Sequence, residues 1–162
     1  MKRAALIFDI IIIILLFASC MAARESRSFQ KSMSGNWQLQ TIISEGVAGK
    51  VKTQLFNEAD FDCFIGSTWN FNNANKMGNY SIPNATGCSA VKRNIRWSIY
   101  EAKDQPKLLQ YKRLDDNLKE IDENSGGFRF TILQLNNTSL QLKSDMNLDG
   151  KPAALIYNFV KI

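Results

Sequence analysis

Histidine is absent from all 162 residues, and its absence removes every mechanism that needs an imidazole as base, proton shuttle or metal ligand. There is no Ser-His-Asp triad, no Cys-His pair and no His-ligated zinc. Cysteine and proline are scarce at three each, and glycine at nine, which excludes a disulfide-dense miniature scaffold and a fibrous or low-complexity chain. Charged residues make up only 22% against 45% hydrophobic, the balance of a folded chain rather than a disordered one. The length suits one domain with one sizeable core and leaves no room for two full catalytic domains.

A long apolar run occurs once, at the start. Lys2 and Arg3 precede Ala4 to Ala18, a run too short for a spanning helix of about 20 residues and interrupted by Asp9. It reads as a cleaved export signal over residues 1–19. The tetrad Phe17-Ala18-Ser19-Cys20 resembles the lipobox of bacterial lipoproteins, in which small residues precede a cysteine that is acylated and becomes the new N-terminus. That resemblance implies a diacylglycerol and an amide-linked acyl chain such as palmitate on Cys20, enough buried CH₂ groups for a permanent membrane anchor. The plainer alternative is an ordinary signal cut after Ala22 or Ala23. Residues 20–33 are polar and lack periodicity, as expected of a flexible tether. Loss of residues 1–19 removes Lys2, Arg3 and Asp9 and lowers the formal charge from +5 by one, to +4. No clustered basic patch interleaved with aromatics points to nucleic acid.

With Cys20 assigned to lipid, Cys63 and Cys88 remain, and an even pair in an exported chain is expected to form a disulfide. The C-x-x-C spacing of a redox-active pair is missing.

From Gly35 onward the period is two rather than 3.6. Trp37, Leu39, Thr41 and Ile43 share one face of a first strand; Trp69 and Phe71 alternate in a second, Tyr80 and Ile82 in a third, and Ile95, Trp97 and Ile99 in a fourth. Leu109 and Tyr111, then Phe128, Phe130 and Ile132, then Leu140 and Leu142, then Leu155, Tyr157 and Phe159 complete the pattern. Residues 50–64 show no alternation and read as a short helix or a long loop. Turn signals such as Asn136-Asn137 and Asp149-Gly150 separate the strands. Eight antiparallel strands with short links make an all-β fold, either a sandwich or an up-and-down barrel.

Gly35-Asn36-Trp37, at the head of the first strand, resembles the G-x-W signature of lipocalins. Residues 34–162 are similar as a whole to the lipocalin-like lipoproteins of Gram-negative bacteria, with one cysteine before the second strand and another before the Trp-bearing fourth. The resemblance implies an eight-stranded antiparallel up-and-down barrel, with Gly35 and Trp37 at its floor and Lys161 where classical lipocalins carry an arginine. It also implies a cavity that Trp69, Phe71, Tyr80, Trp97, Phe128, Phe130 and Tyr157 would line, with Thr41, Tyr80 and Tyr157 as polar groups orienting a ligand.

Two acidic motifs compete with this reading. Asp145-Met146-Asn147-Leu148-Asp149-Gly150 matches half a calcium loop, but its twelfth position is Ile156 rather than Glu. Asp115, Asp116, Glu120, Asp122 and Glu123 supply carboxylates for glycoside chemistry, although a solvated loop explains them as well. The sequence therefore reads as a monomeric, non-enzymatic lipoprotein of the cell envelope, in the periplasm or at the surface. It needs no metal and no cofactor, and binds a small apolar or amphipathic molecule. The rival reading is a filled barrel that binds a protein or glycan through its outer surface or loops. An internal void would favour the first and its absence the second.

Overall fold

The computed structural model describes residues 25–46, 54–121, 126–148 and 150–162. The expected signal, residues 1–19, and Cys20 lie outside them, as do Asp122, Glu123 and Asp149. Residues 25–31 belong to a first unit, and Ser32–Ile162 form the second. The described part of the expected tether, residues 25–33, is helical rather than irregular. Among the described residues no helix is long and apolar enough to cross a membrane.

In the second unit, alternating segments become strands wherever one face can be buried. The strands are β1 (Gly35–Glu45), β2 (Gln54–Leu55), β3 (Ala59–Asp60), β4 (Thr68–Phe71), β5 (Met77–Ile82), β6 (Val91–Tyr100), β7 (Leu108–Leu114), β8 (Phe128–Leu135), β9 (Ser139–Leu148) and β10 (Lys151–Lys161). Eight of them close an antiparallel barrel in the order β1-β10-β9-β8-β7-β6-β5-β4, one of the two architectures that the alternation left open and the one that the resemblance implied. Closure falls to β1, which pairs with β10 on one side and through Gly35–Gln38 with β4 on the other. Residues 50–64, where the sequence left helix or loop open, contain the separate hairpin β2-β3 and a 3₁₀ turn over Phe61–Phe64.

Simple alternation breaks in β8, between Ile132 and Gln134, and in β1. A β-bulge between Leu39 and Thr41 inserts a residue into β1 and reverses the facing of everything beyond it. Trp37 and Leu39 point into the core, whereas Thr41 is exposed and Ile43 is 53% exposed. Ile42 packs against the core instead. Thr41 accepts a hydrogen bond from Asn158 Nδ2 at 3.0 Å, so its expected place in the ligand cavity is corrected: it lies on the outer wall.

The calcium-like segment is also placed differently. Asp145 and Asn147 sit on the β9 ladder opposite Ala154 and Pro152 of β10, and Asp145 pairs with Lys143. In the other acidic segment Asp115 accepts backbone hydrogen bonds from Asn117 and Lys119, and Glu120 bridges Arg96 and Lys112. These carboxylates order a turn and pair with neighbouring cations.

Candidate functional site: a barrel interior closed by its own hairpin

The floor is built from the residues that begin and end the barrel. Trp37 is fully buried, and its Nε1 donates to the carbonyl of Met33 at 2.9 Å. Lys161 Nζ lies 5.0 Å from the centre of the indole and donates to the carbonyl of Ser32 at 3.1 Å. Lysine therefore supplies the cation over the tryptophan that the resemblance assigns to arginine. Gly35 has φ +126°, and a Cβ there would meet Lys161 Cε at 2.8 Å. The positive φ is what calls for glycine here.

Above the floor the inward faces converge on an aromatic interior. Trp69, Phe71, Tyr80, Trp97, Phe130 and Tyr157 are all buried, and Phe128 packs partly buried against them. The residues expected to line a cavity are thus brought together. Among the described residues they leave almost no void. The space among Trp69, Tyr111, Phe130, Tyr157 and their neighbours is about 10 Å³, barely one water.

The filler is Phe56, at the tip of the β2-β3 hairpin. Its ring meets Phe64, Tyr111, Phe128 and Phe130 edge-on, with centroids 5.1–5.7 Å apart, and lies 6.1 Å from Trp69 and 6.3 Å from Tyr157. The backbone is bent to put it there. Phe56 and Asn57 have φ of +55° and +52°, and Glu58 N–H donates to the Leu55 carbonyl at 3.0 Å. This is the geometry of a type I′ turn, which favours Asn and Gly at its centre. A phenylalanine in that region is strained, at a cost of about 1–3 kcal/mol that surrounding packing must offset.

Two positions further on, Glu58 enters a polar cluster. Its side chain is 6% exposed and is shared by Arg113, 7% exposed, and Arg93, 28% exposed. Arg93 Nε donates to Oε1 at 3.1 Å, with a second guanidinium bond from Nη2 to the same oxygen. Arg113 Nη1 reaches Oε2 at 3.3 Å. Tyr80 Oη donates to Oε2 as well. Burial pushes the Glu58 carboxyl up, but hydrogen bonds from Arg93 and Tyr80 and the charges of Arg93 and Arg113 outweigh it and hold it below the ordinary range. Burial, then the Glu58 bond, drives the Tyr80 phenol far up.

Two more phenols complete the interior. Tyr157 Oη meets Ser144 Oγ at 3.1 Å, and burial raises its pKa to about 12. Tyr111 is buried, its pKa is pushed well up by burial, and among the described residues its hydroxyl has no hydrogen-bond partner. Orphaned buried hydroxyls are uncommon in folded proteins.

The disulfide fixes this arrangement to the wall. Cys63, in the 3₁₀ turn after the hairpin, is bonded to Cys88, between β5 and β6, with Cα atoms 5.5 Å apart. Outside the barrel, a surface cleft of about 370 Å³ lies over β6 and β7, between Arg96, Lys112 and Glu120.

Phe56, Glu58, Arg93, Arg113 and Tyr111 were not among the residues singled out as cavity lining. For the arginines a signal existed. Arg93 continues inward the face of Ile95 and Trp97, and Arg113 that of Leu109 and Tyr111, so parity alone puts both inside the wall. Phe56 and Glu58 lie in a segment without period, and no local pattern marks them.

A closed eight-stranded barrel with an aromatic interior is of the class that either encloses one small ligand or fills itself. The chain belongs to the lipocalin-like domain family, whose sequence model matches residues 33–142. Barrels of this kind generally bind small hydrophobic ligands. Nothing among curated proteins matches the chain. Among solved structures it is similar to a lipocalin-like protein from Bacteroides uniformis, at 16% identity and a TM-score of 0.45, over 81% of this chain and 99% of that one. It is also similar to bovine odorant-binding protein complexed with its natural ligand, at 16% identity and a TM-score of 0.41, over 81% and 72%.

Proposed function

We propose that this protein is a monomeric, non-enzymatic lipoprotein of a Gram-negative envelope, anchored through acylated Cys20, that binds a small amphipathic molecule inside its barrel. The observation that carries the reading is the origin of the filler. Strand side chains build the chamber, but a strained turn outside the barrel ladder occupies it. A barrel serving only as scaffold gains nothing from this design, since a buried Glu-Arg-Arg cluster is no more stable than an apolar substitute and an unpartnered tyrosine hydroxyl is a cost. Both are explained if the chamber has an alternative occupant and the hairpin is its resting plug.

Native mass spectrometry of the full-length chain carrying Cys20→Ser, followed by solvent extraction, tests the binding reading. An extractable small-molecule adduct that Trp69→Ala diminishes is the expected result. A chain that stays unliganded after exposure to fatty acids, haem and sterols contradicts it. Anchoring is tested by labelling cells with an alkyne analogue of palmitate: the wild type takes up label and Cys20→Ser does not, whereas equal labelling rejects Cys20.

The rival reading, a filled module that binds a partner on its outer surface, is favoured by the 10 Å³ interior and the cleft over β6 and β7. It predicts that Phe56→Ala weakens stability without creating binding of any small molecule.

A further inference from the structure

Phe56, Asn57 and Glu58 are consecutive, yet the first and third meet opposite surroundings. The Phe56 ring lies in the aromatic chamber, while the Glu58 carboxylate spans β5, β6 and β7 through Tyr80, Arg93 and Arg113. Both carboxylate oxygens are engaged: Oε1 by Arg93, and Oε2 by Arg93, Arg113 and Tyr80. An apolar ring linked to a planar carboxylate has the chemical form of an amphipathic acid.

We propose that the Phe56–Glu58 tip is a built-in stand-in for the ligand, and that the ligand is a monocarboxylic acid with an apolar tail. Its carboxylate replaces that of Glu58 on Arg93, Arg113 and Tyr80, and its tail replaces the Phe56 ring. This rests on the barrel interior being the binding site and adds the chemistry of the head group.

Charge balance makes the exchange selective. Withdrawing the hairpin alone takes away the carboxylate that two guanidiniums share, and removing one member of a buried ion cluster is strongly unfavourable. An incoming carboxylate restores the charge-assisted hydrogen bonds as the hairpin leaves. A neutral molecule with the same tail cannot, and a site built around polar partners rejects the analogue that lacks them. The unpartnered Tyr111 hydroxyl, on a ring 5.7 Å from that of Phe56, leaves a further polar group for an occupant of the chamber.

Isothermal titration of the full-length chain with dodecanoate and with 1-dodecanol, below their aggregation limits, separates head from tail. Dodecanoate is expected to bind at least about tenfold more tightly than dodecanol, the discrimination of a site built around polar partners. Phe56→Ala, which removes the competitor, tightens dodecanoate, and Arg93→Gln brings the two probes together. Should Phe56→Ala fail to fold, Glu58→Ala serves: dodecanoate raises its melting temperature more than that of the wild type, and dodecanol does not. Equal affinity for both probes overturns the carboxylate assignment and leaves an apolar interior site standing. A carboxylate preference unchanged by Arg93→Gln and Phe56→Ala places binding elsewhere and overturns the stand-in. No binding of either probe by any variant overturns the interior site itself.

Discussion

Glu58 is the residue on which the polar end of the chamber turns. Its folded pKa is depressed by Arg93, Tyr80 and Arg113 despite burial, so its stabilising contribution is whole above the unfolded carboxyl value near about 4.3. That contribution is lost as pH falls through the lower folded value. Glu58→Gln should therefore destabilise the protein at pH 7 and by less at pH 3, as urea titrations of both proteins at the two pH values would show. An equal difference at both would contradict the ion cluster. Glu58→Ala at pH 7 should cost about 3–5 kcal/mol, the penalty for removing one member of a buried ion cluster. Tyr111 gives the opposite sign. Its hydroxyl is buried without a partner among the described residues, so Tyr111→Phe should be neutral or stabilising by up to about 1 kcal/mol. A loss beyond 1 kcal/mol in thermal unfolding would mean that the hydroxyl has a partner.

At the scale of elements, the floor is built by barrel strands and the plug by a separate hairpin. Trp37 is fully buried between Lys161, Met33 and the ends of β4 and β10, and Trp37→Ala should cost about 3–5 kcal/mol. A loss below 1 kcal/mol in chemical denaturation would reject its role as floor. The floor was legible in sequence because Gly35 and Trp37 lie in a short local motif, and the strands were legible because most alternate between a buried and a more exposed face. The bulge in β1 was not. Alternation carries Thr41 and Ile43 inward, and only pairing with β10 reveals the extra residue that turns them out. The plug was hidden for a related reason: Phe56 and Glu58 are positioned by a left-handed turn and by contacts with distant strands, so neither leaves a periodic trace. Arg93 and Arg113 stood at inward positions in plain view, but their meaning depends on the carboxylate that meets them.

Across the whole molecule, the disulfide joins the end of the plug segment to the wall between β5 and β6. Closing a loop of this length stabilises by about 3 kcal/mol on the chain-entropy account, so Cys63→Ser together with Cys88→Ser should lower stability by that order while leaving the barrel strands intact by circular dichroism. Collapse of the strand signal would show that the bridge is needed for the barrel itself. On the proposal above, the interior of the closed barrel has two alternative occupants, one supplied by its own chain. Fold, floor and aromatic lining followed from alternation and one motif, whereas the exchange at the centre follows only from three-dimensional proximity. A crystal structure of the full-length protein with bound dodecanoate tests it most directly. The account predicts the acyl chain in the place of the Phe56 ring and the carboxylate on Arg93 and Arg113, with the hairpin withdrawn. Dodecanoate on the outer wall, with Phe56 still seated among Tyr111, Phe128 and Phe130, would contradict it.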